Sequence, residues 1–178
     1  MSYPINLDIE GKVCVVLGGG NVALRKITGL LNAGGKVIVI APEICEGLKK
    51  LVEHNKINLI NMEYVKNCIP NGLIFIAATN DSEVNKLAAI EASKKNMLVN
   101  IVNKNELDIN QFTVPSVIRR GDLMLTISTN GKAPALSKSI REYLEMHFKE
   151  DIHLTRHGDN KETEVRILNA LDSYGNKS

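Results

Sequence analysis

Residues 12–31 read KVCVVLGGGNVALRKITGLL, and the pattern changes character twice within them. Residues 13–17 are apolar without alternation and rich in β-branched side chains, as expected of a strand buried on both faces. Gly18-Gly19-Gly20 then ends the run. Beyond it Val22, Ile27, Leu30 and Leu31 fall at helical spacing, so a helix follows the strand directly. Gly34-Gly35 closes that helix, because glycine enters the left-handed conformation beyond a C-cap at little cost.

Across this strand, turn and helix, Gly18, Gly20 and Ala23 stand at the spacing G-x-G-x-x-G/A. The first glycine permits the tight turn, the second lets backbone approach a pyrophosphate, and the small third residue lets helix and strand pack closely. The spacing alone is a weak signal, since any glycine-rich turn satisfies it. Its setting strengthens it: a strand before, a helix after, and a second strand KVIVI at residues 36–40. The turn is therefore read as a dinucleotide site. The acid that would hold a ribose 2′-hydroxyl belongs at the end of the second strand, where Ala41 and Pro42 stand and Glu43 follows. Glu43 fits two roles, a ribose ligand or a favourable charge in the first turn of the next helix. No basic residue suited to a 2′-phosphate appears before Lys49, so NAD is expected rather than NADP.

Outward from this unit the rhythm repeats. A helix is expected over residues 43–55, strands over 57–62 and 73–77, and a further helix with Ser82 as N-cap ahead of Glu83, Val84, Leu87, Ala88 and Ile90. A fifth strand covers 97–102. Strands alternating with helices imply an α/β Rossmann-type parallel sheet. After about Asn103 the pattern changes. Residues 112–118 and 123–128 read as two strands joined at Arg120-Gly121-Asp122, a hairpin signal. Pro134 opens a helix in which Leu136, Ile140, Leu144 and Phe148 recur every four positions. A hairpin and one helix are too small to bury a core alone, so this part should pack on a twin chain or on the nucleotide domain. Its apolar stripe predicts a homodimer. A last helix is expected over 162–171. The chain thus divides into a nucleotide-binding domain (1–112), a small α+β region (113–148) and a C-terminal helical tail (149–178).

Composition excludes several classes. In 178 residues the apolar share is 44% and the charged share 24%, ordinary values for a globular protein. No stretch reaches the roughly 20 apolar residues that span a bilayer. The N-terminus lacks the basic and apolar regions of a signal peptide, which places the chain in the cytoplasm. A formal net charge of +2 and 4% aromatics supply neither a basic field nor a stacking platform, so no nucleic-acid partner is expected. Cys14, Cys45 and Cys68 are odd in number and widely spaced, and read as reduced thiols rather than disulfides or a zinc site. His153 and His157 are spaced i, i+4 but have no nearby third ligand, so no metal site is assigned.

Gly18-Gly19-Gly20-Asn21-Val22-Ala23-Leu24-Arg25-Lys26 resembles the GGG-x-VA-x-RK signature of the precorrin-2 dehydrogenase/sirohydrochlorin ferrochelatase family of sirohaem synthesis. Ala77-Ala78-Thr79-Asn80-Asp81, Asn100-Ile101-Val102, Pro115-Ser116-Val117-Ile118 and the run RGDLMLTISTNGKAP at residues 120–134 match the same family in order. The resemblance implies a Rossmann domain, a dimerisation region built from hairpin and helix, and NAD-dependent oxidation of the tetrapyrrole precorrin-2, with iron insertion in some members. By position it implies that Asn21, Val22, Pro42 and Glu43 line the NAD site, with Thr79 and Asn80 toward the nicotinamide. It marks Ser128-Thr129-Asn130-Gly131 as a substrate loop, Ser128 standing at a family position that can be phosphorylated. The alternative for Ser128 is a turn hydroxyl that satisfies nearby backbone. Arg119, Arg120, Lys132, Lys138 and Arg141 form a basic set suited to a polycarboxylate, or simply a solvated face.

The sequence departs from the family at one telling place. Where the family has an aspartate after the fifth strand, this chain has Asn103. A neutral amide can orient a pyrrole nitrogen but cannot take its proton. Either Asp108 or Glu106 substitutes, or NAD alone suffices for a substrate disposed to oxidise, or the chain is impaired. Two other functions stay open: an NAD-binding regulatory module without catalysis, and a Rossmann dehydrogenase for another small substrate.

Overall fold

A computed structural model describes residues 3–102 and 111–147, and the chain divides into two compact units, Met1–Thr113 and Val114–Ser178. The first unit alternates strand and helix: β1 (Val13–Leu17), α1 (Asn21–Asn32), β2 (Lys36–Ile40), α2 (Glu46–Glu53), β3 (Ile57–Ile60), β4 (Ile74–Ala77), α3 (Ser82–Lys94) and β5 (Leu98–Ile101). All five strands are parallel, in the order β3-β2-β1-β4-β5. The chain steps outward from β1 to β3 and then returns to the other side of β1 at β4. That reversal is a topological switch point, where open α/β sheets bind ligands beyond the carboxyl ends of their strands.

Strand alternation builds a core on each face of the sheet. Cys14, Val16, Val37, Val39, Ile74 and Ile76 pack with Ala23, Ile27 and Leu30 of α1 and Leu48 of α2. Val15, Leu17, Phe75, Ala77, Val99 and Ile101 pack with Ala88, Ala89 and Ala92 of α3. Both faces are covered, which is why these strands read as continuous apolar runs. Cys14 lies wholly inside; burial pushes its thiol up to about 11, leaving it unreactive. All three cysteines are free.

The three helices of this unit end in the same way. Gly34, Asn55 and Asn96 adopt positive φ just past α1, α2 and α3. In each case the next two N–H groups return to the last turn: Gly34 to Leu31 and Gly35 to Leu30, Asn55 to Val52 and Lys56 to Leu51, Asn96 to Ser93 and Met97 to Ala92. This is the Schellman arrangement, and it drops the chain straight into the next strand.

In the second unit β6 (Ser116–Arg120) and β7 (Leu123–Ile127) form an antiparallel pair. Arg120 faces Leu123 across a two-residue connection that begins with Gly121 at φ +56°, as a tight hairpin turn requires. α4 (Pro134–His147) packs on both strands.

Several boundaries differ from the sequence reading, for physical reasons. The helix expected over 43–55 begins only at Glu46. Residues 43–45 instead brace the glycine turn, Cys45 N–H donating to the Gly19 carbonyl at 2.8 Å. The N-cap of α3 is Asp81 rather than Ser82, because the Asp81 carboxylate accepts from the Glu83 and Val84 N–H groups. The strand expected from 112 starts at Ser116. Residues 111 and 112 run beside β5: Gln111 N–H donates to the Val99 carbonyl, and Asn100 Nδ2 donates to the Phe112 carbonyl. Strands β3, β4, β5 and β7 are each one or two residues shorter than expected. The tail helix expected over 162–171 lies outside the described residues.

Candidate functional site

Beyond the carboxyl ends of β1, β2 and β4 lies a cleft of about 650 Å³. Its floor is the β1–α1 turn. Leu17 is in register with Ile40 on one side and Ala77 on the other, so three strands finish level beneath it. Gly18 has φ +121°, and a Cβ there would come within 2.5 Å of the Ala78 carbonyl oxygen. A Cβ on Gly19 would collide with the Glu43 carbonyl. Gly20 behaves differently: nothing lies within 4 Å of where its Cβ would stand. Two glycines are thus needed by the fold itself, while the third opens onto empty space at the start of a helix. α1 has no side-chain cap and no acid in its first turn. Its first N–H groups and the positive end of its dipole are left for an anion.

The β4–α3 turn forms one wall, with Ala78, Thr79, Asn80, Asp81 and Val84. It is held from behind by Asn85, which is fully buried. Asn85 Oδ1 accepts from Thr79 N–H at 3.1 Å and from Thr79 Oγ1 at 2.7 Å, and its Nδ2 donates to the Thr79 carbonyl at 3.0 Å. Thr79 Oγ1 also lies 3.0 Å from the Asp81 carbonyl and accepts from Asp81 N–H at 3.2 Å. Polar groups in this turn therefore spend themselves on shape.

Residues after β2 and β3 form the opposite wall: Ala41, Pro42 and Glu43, then Glu63 and Tyr64. The Tyr64 hydroxyl donates to Glu91 of α3 at 3.0 Å. Burial first, and the Glu91 carboxylate second, push that phenol up to about 12, so it is no proton donor near neutral pH. No lysine or arginine lines the cleft among the described residues.

Of the cofactor residues read from sequence, Gly18, Gly20, Pro42, Glu43, Thr79 and Asn80 stand at the cleft. Glu43 lies on the loop before α2, so its role as a first-turn helix charge falls away; Glu46 takes that place. Asn21 and Val22 are exposed at the start of α1 without lining the cleft, and Ala23 is fully buried beneath it. Asn103, Glu106, Asp108, His153 and His157 lie outside the described residues.

In the second unit the Ser128 hydroxyl accepts from Asn130 N–H at 3.1 Å, the local turn role anticipated for it. Thr129 Oγ1 accepts from Ala133 N–H and lies 3.2 Å from the hydroxyl of buried Ser137, bracing the entry to α4. Asn130 and Gly131 take successive left-handed conformations. The basic set shrinks: Lys138 pairs with Glu142, and Arg141 pairs with Glu142 and Glu145. Arg119 and Lys132 appear in none of these pairs, and Arg120 Nη1 donates to the Arg119 carbonyl at 2.8 Å.

Gly19, Tyr64, Asn85 and Glu91 were given no site role in the sequence reading. Gly19 is the x of the glycine motif; Tyr64 and Glu91 meet from distant parts of the chain, and Asn85 acts through Thr79 on the turn before its own helix. Asn100 on β5 joins them: its Oδ1 is buried with no partner among the described residues. Those residues contain no group of three or more His, Cys, Asp or Glu able to hold a metal, and no helix long and apolar enough to cross a membrane.

Comparison with known proteins adds the following. A family described as putative NAD(P)-binding matches residues 5–116, and one described as the central part of a sirohaem biosynthesis protein matches residues 120–147. A siroheme synthase of Vesicomyosocius okutanii is 39% identical over 146 residues, which is 82% of this chain and 31% of that protein. The siroheme synthase of Psychromonas ingrahamii is 40% identical over 146 residues, covering 82% and 30%. This chain therefore spans about three tenths of the length of the curated relatives it matches. A solved structure named SirC, precorrin-2 dehydrogenase, superposes with a TM-score of 0.72 at 24% identity, covering 97% of this chain and 98% of that one. At that identity the likeness establishes the fold.

Proposed function

Since this chain belongs to the putative NAD(P)-binding family, with the central region of a sirohaem biosynthesis protein following it, we propose that it oxidises precorrin-2 to sirohydrochlorin with NAD. The observation that carries the reading is the open face of Gly20 at the uncapped N-terminus of α1. Backbone there can meet a pyrophosphate without a Cβ in the way. Bound NAD would supply the hydride acceptor. The chain's own residues bind and orient. Glu43 is the carboxylate nearest in sequence to the end of β2, where a ribose hydroxyl is held in such folds. With Glu43, Glu63 and Asp81 in the lining and no cation among the described residues there, a 2′-phosphate would be repelled, which favours NAD over NADP.

Oxidation of the tetrapyrrole removes a hydride and a proton. In this reading Asn103 orients a pyrrole nitrogen, and Asp108 or Glu106 takes the proton. Arg120, with Arg119 and Lys132 and the loop Ser128-Thr129-Asn130-Gly131, meets the substrate carboxylates. The second unit would also pair with its copy. Leu136 is 53% exposed, Ile140 37% and Tyr143 51%, three residues that share one face of α4. Light scattering showing a monomer at micromolar concentration would refute the homodimer.

The deciding experiment is anaerobic incubation of precorrin-2 with NAD, followed by the absorbance of sirohydrochlorin and reduced nicotinamide. The reading expects both to rise together; a second incubation with ferrous iron reports insertion separately. Asn103 favours one rival, a regulatory module that binds NAD without turning over. Tight NAD binding with no oxidation, unrescued by Asn103→Asp, would establish that rival instead.

A further inference from the structure

One helix braces both walls of the cleft, through two separate networks. The first turns of α3 hold Thr79 through Asn85. Two turns later the same helix carries Glu91, only 9% exposed. Its Oε2 accepts from Asn67 N–H at 2.8 Å and from the Tyr64 hydroxyl at 3.0 Å. Its Oε1 accepts from Ile69 N–H at 3.1 Å and from Lys95 Nζ at 3.1 Å. Lys95 Nζ also donates to the Ile69 carbonyl. Burial alone would push this carboxyl up, but the Asn67 N–H, Lys95, Ile69 N–H and Tyr64 donors outweigh it and hold it below the usual range.

Three of the four donors belong to the segment between β3 and β4, residues 61–73, which contains no helix or strand. An irregular stretch of that length needs anchors to keep one conformation. Glu91 supplies them at Tyr64, Asn67 and Ile69. Asn67 itself is left-handed at φ +68°. Tyr64 is half-buried and packs against the core cluster that includes Leu17 and Ile40. It lines the cleft beside Glu63, on the β2 and β3 side of the glycine turn. In a β1-α1-β2 unit that binds a dinucleotide, the adenosine ribose is held at the end of β2, so this wall belongs to the adenosine half.

We infer that Glu91 is a positioning residue for the adenosine half of the cleft, holding Tyr64 and Glu63 as the wall against which an adenine nucleotide binds. The inference rests on the dinucleotide reading above and deepens it. Because the Thr79 wall hangs on Asn85 and not on Glu91, removing Glu91 loosens one half of the cleft and spares the other. A residue of merely general structural importance would affect both halves alike.

The test uses the full chain, with AMP and NMN as separate probes followed by ligand-observed NMR, and NAD by calorimetry. Glu91→Gln should weaken AMP and NAD at least about ten-fold, since hydrogen bonds to a charged group carry that much free energy. NMN binding should not change. Tyr64→Ala should give the same split, and adding Glu91→Gln to it should cost little more, because the two act in series. Tyr64→Phe keeps the ring and cuts only its anchor; it should weaken AMP several-fold, and it decides the matter if Glu91→Gln does not fold. Unchanged AMP affinity in the variants, or equal losses for AMP and NMN, overturns the inference. A wild-type chain that binds neither AMP nor NAD overturns the dinucleotide reading instead.

Discussion

Two helices begin at the rim of the cleft, α1 after β1 and α3 after β4, and they begin in opposite ways. Gly20 caps α1 with no side chain and no acid follows in the first turn. Asp81 caps α3, its carboxylate bonded to two N–H groups, with Glu83 in the first turn. Both helix ends carry the same partial positive charge. In α3 the chain neutralises it internally; in α1 the charge and its donors face the cleft. A helix N-terminus becomes an anion site by what is withheld from it, and the difference here is the cap residue, glycine or aspartate.

The comparison breaks most sharply at Gly20→Asp, which makes α1 begin as α3 does. Gly20 has φ −86° and open space around its Cβ, so aspartate fits and is a preferred N-cap. NAD affinity measured by calorimetry should fall at least about 100-fold, roughly 3 kcal/mol. The melting temperature should hold or rise. A loss of binding accompanied by unfolding would contradict this account of the turn.

Asn85→Ala attacks the other turn from behind. It removes three hydrogen bonds from a fully buried site and strands the Thr79 groups. Denaturant unfolding should show a loss of about 3 kcal/mol. Asp81→Ala is milder. The fold should lose about 1 kcal/mol, the usual value of such a cap, with NAD affinity far less affected than by Gly20→Asp. If the two substitutions weakened NAD equally, the asymmetry between the helices would have no functional meaning.

The smallest effect is read from pH. The Glu91 carboxyl is held low in the folded chain, so its contribution to stability is fully present above its ordinary value of 4.5 and drains away as pH falls below that value. Wild type should therefore lose stability faster than Glu91→Gln between pH 5 and about pH 3, a carboxylate range in which linkage predicts the slope. Parallel stability curves would mean that Glu91 is not ionised in the fold.

Much of the first unit was legible because its signals are local. The run VCVVL, the glycines after it and the helical spacing beyond all concern neighbours in sequence, and β1, α1 and β2 stand where they were expected. Ser82 was expected to cap α3, and the helix register gave that place to Asp81, one residue earlier. Glu43 was ambiguous for a deeper reason. Whether it begins a helix depends on Gly19, which sits across the turn, packs against the Glu43 carbonyl and accepts the Cys45 N–H. In the second unit the basic residues at 138 and 141 were legible as charges, but not as charges already paired along α4.

By itself, then, the order of residues determined the α/β alternation, the glycine turn, the glycine end of α1 and the hairpin, since each follows from dihedral preference or from the period of a strand or helix. Tertiary structure alone decided which polar groups are available. Tyr64 and Glu91 stand far apart in the chain and meet only because β3 and β4 lie on opposite sides of β1, so the segment joining them must pass by α3. Thr79 is locked by a buried asparagine, while Gly20 is left facing open space. Pairing of this kind depends on strand order and burial, which no local pattern encodes.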